Sequence, residues 1–265
     1  MDSQTKSVAH SISYLYPFRY LSGNIIEYDI RQANINMLFY KGLIDENKYN
    51  YFRNIPKQQR EVMIGNMIKN DNTMYKAIAS GIAEFKVKLF ESNDIQIHEV
   101  VRIASDAVYI NRSIPLRYTE FDNVIFVNKN KYQTYVNLNK TILLIKYIGN
   151  QLDVDVKGIS EDRLKDHQNY LLSFIVNIIC TMERNSIEEA IKETNEFIEE
   201  YINRSLPLEY YREFNSESMY RVAGGQFLIE NIFSLDSIDI NYNLIILREL
   251  LSILYEQYQS SYKRV

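Results

Sequence analysis

Two aspartates sit where a chain building only strands would not put them. Asp29 comes at the end of the apolar run "NIIEYDI" (24–30), and Asp106 follows Ser105 inside "VVRIASDAVYI" (100–110). Short apolar, β-branched runs predict strands. The first therefore reads as a strand ending at Asp29, and the second as two strands meeting at Ser105–Asp106. Side by side in one antiparallel sheet, these elements would bring both carboxylates to one edge, where two hard cations such as Mg²⁺ have oxygen ligands. A metal pair held by shared carboxylates carries out in-line phosphoryl transfer. One ion activates the attacking hydroxyl and the other neutralises the leaving pyrophosphate. The competing reading is structural, because Asp is a frequent strand-end cap and Asx-turn residue.

The elements around these residues follow from periodicity. "DENKYNYFRNIPKQQREVMIGNMIKND" (45–71) predicts two short helices broken at Pro56, the second starting near Lys57. Thr73 is placed to cap a longer helix, in which Met74, Ala77, Ile78, Ile82, Phe85 and Leu89 recur at helical spacing. "FDNVIFVNKNKYQTYVNL" (121–138) reads as a strand, a basic turn and a second strand, and "TILLIKYI" and "DVDVKGI" add further β structure. From Ser160 the pattern turns helical. Leu164, Leu171, Phe174, Ile175, Ile178 and Met182 mark one helix, and Ser186 with Glu189 has capping-box spacing for the next. Pro207 ends that helix, and a last one covers roughly 243–258. The expected fold class is α+β, with a sheet-bearing domain over 1–159 and a helical region over 160–265.

Composition narrows the classes of function. The chain has 265 residues, 46% hydrophobic and 24% charged, which is the make-up of a globular protein with an ample core. No apolar run is long enough to span a bilayer, and the N-terminus lacks the charged-then-apolar pattern of a secretory signal, so a cytoplasmic location is expected. The single cysteine, Cys180, cannot form an internal disulfide and falls in an apolar run, where a buried thiol is expected. His98 and His167 have no Cys or His partner at zinc-ligand spacing. There is no Walker loop, dinucleotide fingerprint or nucleophile elbow. Net charge is −4, against a binder of nucleic acid held by bulk charge alone. The charge is uneven, at +4 over 111–150 and −7 over 150–200. Abundant Tyr, Ile and Asn with scarce Gly and Pro point to an AT-rich genome, phage or low-GC bacterial.

Taken in order, these segments resemble the palm and thumb of family-B DNA polymerases, in a reduced phage-type or viral-type form. "YDIRQANINML" (28–38) looks like motif A and "RIASDAVYI" (102–110) like motif C, with the long helix "MYKAIASGIAEFKVKLFE" between them. "NKNKY" (128–132) is similar to the basic segment that grips the primer, and "DVDVKGIS" to the entry into the thumb. The resemblance spans roughly 24–215, and it rests on the order and spacing of motifs that are individually weak. It implies a palm with minimal fingers (about 41–70) and a thumb-like helical region. Asp29 and Asp106 would be the catalytic metal ligands for Mg²⁺. Arg60, or Lys57 as runner-up, would bind the incoming triphosphate, and Asn34 would stand at the sugar-selecting position. Lys129, Lys131 and Tyr132 would contact the primer strand, and Lys157 with Gly158 would open the thumb.

The sequence also departs from that family. Ala104 replaces the first Asp of motif C, Asn34 replaces a sugar-excluding Tyr, motif B lacks its usual ending, and the thumb-like region is acidic. Two functions therefore stand. One is a nucleotidyltransferase module that extends a primer–template with Mg²⁺, with other protein subunits supplying what is absent. The other is a polymerase-derived subunit without catalysis, kept for structure or nucleic-acid binding. Each site residue has an ordinary alternative as well: a solvated hairpin for Lys129, Lys131 and Tyr132, an exposed helix face for Arg60 and Lys57, and a helix start for Asn34. Tyr135 is a further candidate for stacking or packing. "YYREFNSESMYRV" (210–222) has the Tyr and Arg content of a protein interface or of helix packing.

Overall fold

A computed structural model describes residues 1–138, 141–148, 151–158, 170–184, 186–207, 210 and 237–262. The fold is α+β. The strands are β1 (Ser13–Leu15), β2 (Tyr20–Ile30), β3 (Val100–Ala104), β4 (Ala107–Asn111), β5 (Glu120–Phe121), β6 (Val124–Leu138), β7 (Thr141–Ile148) and β8 (Gln151–Lys157). The helices are α1 (Ser3–His10), α2 (Ala33–Tyr40), α3 (Glu46–Asn54), α4 (Lys57–Asn70), α5 (Asn72–Ser92), α6 (Tyr170–Glu183), α7 (Ile187–Ile202) and α8 (Ser237–Tyr262). Among the described residues no helix is long and apolar enough to cross a membrane.

The strands follow the order β1-β3-β4-β2-β6-β7-β8, with β5 on β6. The chain leaves β2, runs through α2–α5 and returns as β3. Strand β4 lies between β2 and β3 and is antiparallel to both. This is a split βαβ unit, and its consequence is local. The C-terminal end of β2 and the β3–β4 turn come to the same edge, with Asp29 paired to Ala107 in the register.

Two compact units share the chain. One is Met1–Thr134 with Ile145–Asp153, and the other is Tyr135–Leu144 with Val154–Val265. The division thus passes through β6, β7 and β8, earlier than the 159/160 position expected from the sequence. In the first unit, Ile26, Tyr28 and Ile30 of β2 and Val108 and Ile110 of β4 share one core with Ile78, Ile82, Phe85 and Leu89 of α5. Residues alternate across a strand. Glu27 and Asp29, offset by one from that apolar set, accordingly project from the other face of β2. In the second unit α7 packs with α6 and α8, and Phe174 stacks on Phe197 at 3.8 Å between centroids.

Several boundaries differ from the sequence reading, each for a local reason. Strand β2 starts at Tyr20. Asp71, not Thr73, caps α5, its carboxylate accepting from the Thr73 backbone N–H at 2.8 Å. Ser186 holds the N-cap position of α7 but makes no side-chain cap bond. His98 lies exposed in a 3₁₀ turn, Ile97–Glu99, rather than in a strand. The expected basic turn at 128–132 is instead the middle of one continuous strand, β6. Leu164, His167 and the 211–222 part of the proposed interface lie outside the described residues.

Candidate functional site

The turn that carries Asp106 is the shortest hairpin link, two residues between β3 and β4. Ser105 takes the left-handed conformation (φ +55°), as the first residue of such a turn commonly does. Its N–H donates to the Ile12 carbonyl at 2.8 Å. From below, the α5 residue Lys86 donates to the Ser105 carbonyl at 3.1 Å and to the Ser11 carbonyl. Lys86 is 0% exposed. Burial pulls its ammonium down to about 8, opposed by the attraction of Asp106. The turn is therefore held from its own backbone and from a buried cation.

Asp29 and Asp106 meet across this edge. The Ile30 N–H donates to the Asp106 carbonyl at 3.4 Å, and the two carboxyl groups interact directly. Burial raises the Asp106 carboxyl above the ordinary carboxylate range, and the neighbouring Asp29 charge adds to the rise. Both acids line a cleft of about 460 Å³ together with Asn34, Lys57, Arg60, Glu61 and Ser105. Lys57 is exposed, while Arg60 is 7% exposed. Among the described residues the Arg60 guanidinium makes no hydrogen bond or ion pair. None of its nitrogens is among the buried unsatisfied groups, so the guanidinium opens onto the cleft, where it can meet an anion. Asn34 donates weakly to Glu61, at 3.4 Å.

The basic strand segment divides by face. Lys129 donates to Asp29 Oδ2 at 3.1 Å and lies 3.9 Å from Glu27 Oε1. Its bond to Asp29 raises the Lys129 ammonium above the usual range, with Glu27 and Asp106 contributing. Lys131 is exposed. Tyr132 is 1% exposed, and its hydroxyl donates to Glu27 Oε2 at 3.1 Å. Its ring therefore has no free face for a primer or a base, and it lies beside Tyr109 on the Glu27 face of the sheet. Tyr135 is buried as well. Lys157 ends β8, half-buried, and Gly158 follows with φ +96°.

Residues the sequence reading passed over complete the site. Glu27 is 3% exposed and accepts from Tyr109 (3.0 Å), Asn130 (2.7 Å) and Tyr132 (3.1 Å). A carboxylate two places before Asp29, inside an apolar run, was the available signal. Lys86 had one too, since it falls four residues after Ile82 and three before Leu89, on the apolar face of α5.

The fit of Mg²⁺ can be judged from these groups. Asp29 and Asp106 are the carboxylates that would hold a hard cation, and Lys129 already donates to one of them. A second cation lacks ligands here. Ala104 offers no side-chain oxygen, Glu27 is engaged by its three donors, and no cluster of three or more metal-ligating side chains occurs among the described residues.

Beyond the geometry, residues 10–256 match the profile of a family described as "Bacteriophage PBS1 gene 130 protein". The chain belongs to that family. This supports the phage origin suggested by composition, and the family description names no activity. No curated protein matches the chain.

Proposed function

We propose that this member of the PBS1 gene 130 family is a reduced, family-B-polymerase-like nucleotidyltransferase module whose cleft holds a nucleotide. One observation carries the reading. Asp29, Asp106, Asn34, Lys57 and Arg60, chosen from sequence positions up to about eighty residues apart, line a single cleft. The split βαβ order, with one carboxylate at the end of β2 and the other in the β3–β4 turn, supports the palm comparison.

In this reading Arg60 and Lys57 grip the polyphosphate from the α4 wall, and Asp29 with Asp106 face its α-phosphorus from the sheet. The 3′-hydroxyl oxygen of a primer bonds to that phosphorus as its proton passes to solvent water, the α-phosphorus bond to the bridging oxygen breaks, and pyrophosphate leaves toward Arg60. Bound Mg²⁺ would supply charge neutralisation at the two carboxylates. Asn34, shorter than Tyr, leaves room for a ribose 2′-hydroxyl. Lys131, exposed on β6, offers a phosphate contact.

A second reading is favoured by a specific contact. The Lys129 ammonium on Asp29, with Ala104 across the turn, fits a polymerase-derived subunit that binds nucleic acid without catalysis.

Primer extension decides between them. The full chain is given a primer–template, Mg²⁺ or Mn²⁺, and dNTP or NTP pools, with Asp106→Asn as control. Extension lost in Asp106→Asn establishes the enzyme, and use of NTPs assigns Asn34 to sugar tolerance. No extension, alone or with co-purified partners, leaves the binding subunit.

A further inference from the structure

A second cavity, of about 350 Å³, adjoins the acid cleft and shares Arg31 and Gln32 with it. Three parts of the first unit line it: the β2–α2 link, helices α2 and α3, and the β5–β6 hairpin. Buried Asn36 ties the link to α3, since its side chain donates to the Arg31 carbonyl at 2.6 Å and accepts from the Tyr49 hydroxyl at 2.8 Å. The Arg31 N–H ties the link to β6, donating to the Ile125 carbonyl at 2.9 Å. The cavity is therefore preformed on a braced backbone. Gln32 takes the left-handed conformation (φ +52°), uncommon outside Gly, Asn and Asp, and its side chain does not cap α2. Strained residues of this kind gather at ligand sites.

The lining holds the groups that recognise a nucleotide. Phe39 stacks on Tyr49, with 4.3 Å between centroids and 17° between planes. One face of the Phe39 ring is thus covered, yet the residue is 41% exposed, which leaves the other face for a flat ring. Arg31 and Arg53 are exposed, and among the described residues neither guanidinium makes a hydrogen bond or an ion pair. Arg53 rests over the Tyr49 ring at 5.4 Å, a contact that positions it and leaves its N–H groups for a phosphate. Gln32 and Asn123 add amides, each both donor and acceptor, for the edge of a base. Of the two lining carboxylates, Asp122 is already paired with Lys88. Glu120 has no cation among the described residues and can accept from a base N–H. We propose that this cavity binds one nucleoside 5′-monophosphate unit, with its base on Phe39 and its phosphate on Arg31 and Arg53. The volume suits a single nucleotide, at the lower end of the range of about 300–1,000 Å³ for small-ligand sites. The inference needs no catalysis in the acid cleft.

The test uses 2-aminopurine, whose fluorescence is quenched on stacking. Three probes are titrated with the full chain: 2-aminopurine deoxyriboside 5′-monophosphate, its unphosphorylated nucleoside, and a thymidine tetranucleotide carrying one 2-aminopurine. Every protein is made in the Arg60→Met chain, which takes the acid cleft out of the measurement, and circular dichroism reports folding. The expected result is saturable quenching of a phosphorylated probe, with the nucleoside bound at least about tenfold more weakly. Adding Phe39→Leu should weaken binding at least about fivefold, and adding Arg53→Met about tenfold. Arg53 is exposed on α3, so its variant reports even if Phe39→Leu does not fold. Binding of the monophosphate assigns a free nucleotide, and binding of the tetranucleotide alone assigns a nucleotide within a single strand; either supports the site. No quenching of either phosphorylated probe, equal binding of nucleoside and nucleotide, or unchanged binding by a folded Arg53→Met chain would overturn the proposal. Quenching by wild type that vanishes in Arg60→Met would also overturn it, by placing the nucleotide in the acid cleft. Failure of primer extension bears on that cleft alone.

Discussion

Lys86 gives a pH dependence that can be worked through. Its ammonium is fully buried on α5, and burial lowers it from 10.5 to about 8. A base whose folded value is depressed binds fewer protons folded than unfolded between those two values. Stability therefore rises with pH through the window from about 8 to 10.5, and the contribution is lost as pH falls through the folded value. Integrating the proton difference from pH 7 to pH 10 gives a gain of about 2.5 kcal/mol from this one group. Tyrosines and other lysines also titrate there, so the absolute curve is not diagnostic. The difference between wild type and Lys86→Met is diagnostic, since Met keeps the length and carries no charge. Urea unfolding of both proteins at pH 7, 8, 9 and 10 should show wild type gaining about 2.5 kcal/mol on the variant across the series. The variant also loses the bonds to the Ser11 and Ser105 carbonyls, an offset of about 1–3 kcal/mol that hardly varies with pH. A difference that stays flat within 0.5 kcal/mol, an order-of-magnitude margin for such fits, would refute a charged lysine under the Asp106 turn.

Two further substitutions probe the walls of the site. Arg60→Met should leave urea stability within about 1 kcal/mol of wild type, because the guanidinium lines the cleft rather than bonding another element. The same change should weaken tripolyphosphate binding by at least about tenfold in calorimetry. Glu27→Gln should cost about 2 kcal/mol in urea unfolding, since the amide nitrogen must face a donor from Tyr109 or from Asn130 and Tyr132. A cost below about 0.5 kcal/mol would refute the reading that the carboxylate is what holds these three donors.

What the sequence made legible was local. A strand end, a two-residue turn and a proline-broken helix pair are written in neighbouring residues, so Asp29, Asp106, Lys57 and Arg60 could be chosen before their meeting place was known. What it hid depends on partners far along the chain. Asn130, Lys129 and Tyr132 looked like a polar turn because nothing near them in sequence satisfies them. Their partners, Glu27 and Asp29, lie on β2, about a hundred residues earlier. Polar groups that would break an unpartnered strand become its cross-strand contacts once that neighbour is in place. Lys86 follows the same rule, since its acceptors are backbone carbonyls that no side-chain pattern reveals.

That reciprocity bears on what the site is for. Tyr132, Asn130 and Lys129 fix β6 against β2 through Glu27 and Asp29, so the register of these strands and the charge of the cleft depend on the same side chains. Loss of the Lys129 charge would disturb both, whereas Arg60 on α4 has no structural bond to lose. Arg60 lines the cleft without a bond to another element, so an anionic ligand is the partner its guanidinium is suited to meet. For that reason anion binding at Arg60, more than metal binding at the acids, is the property on which a ligand-binding function stands or falls.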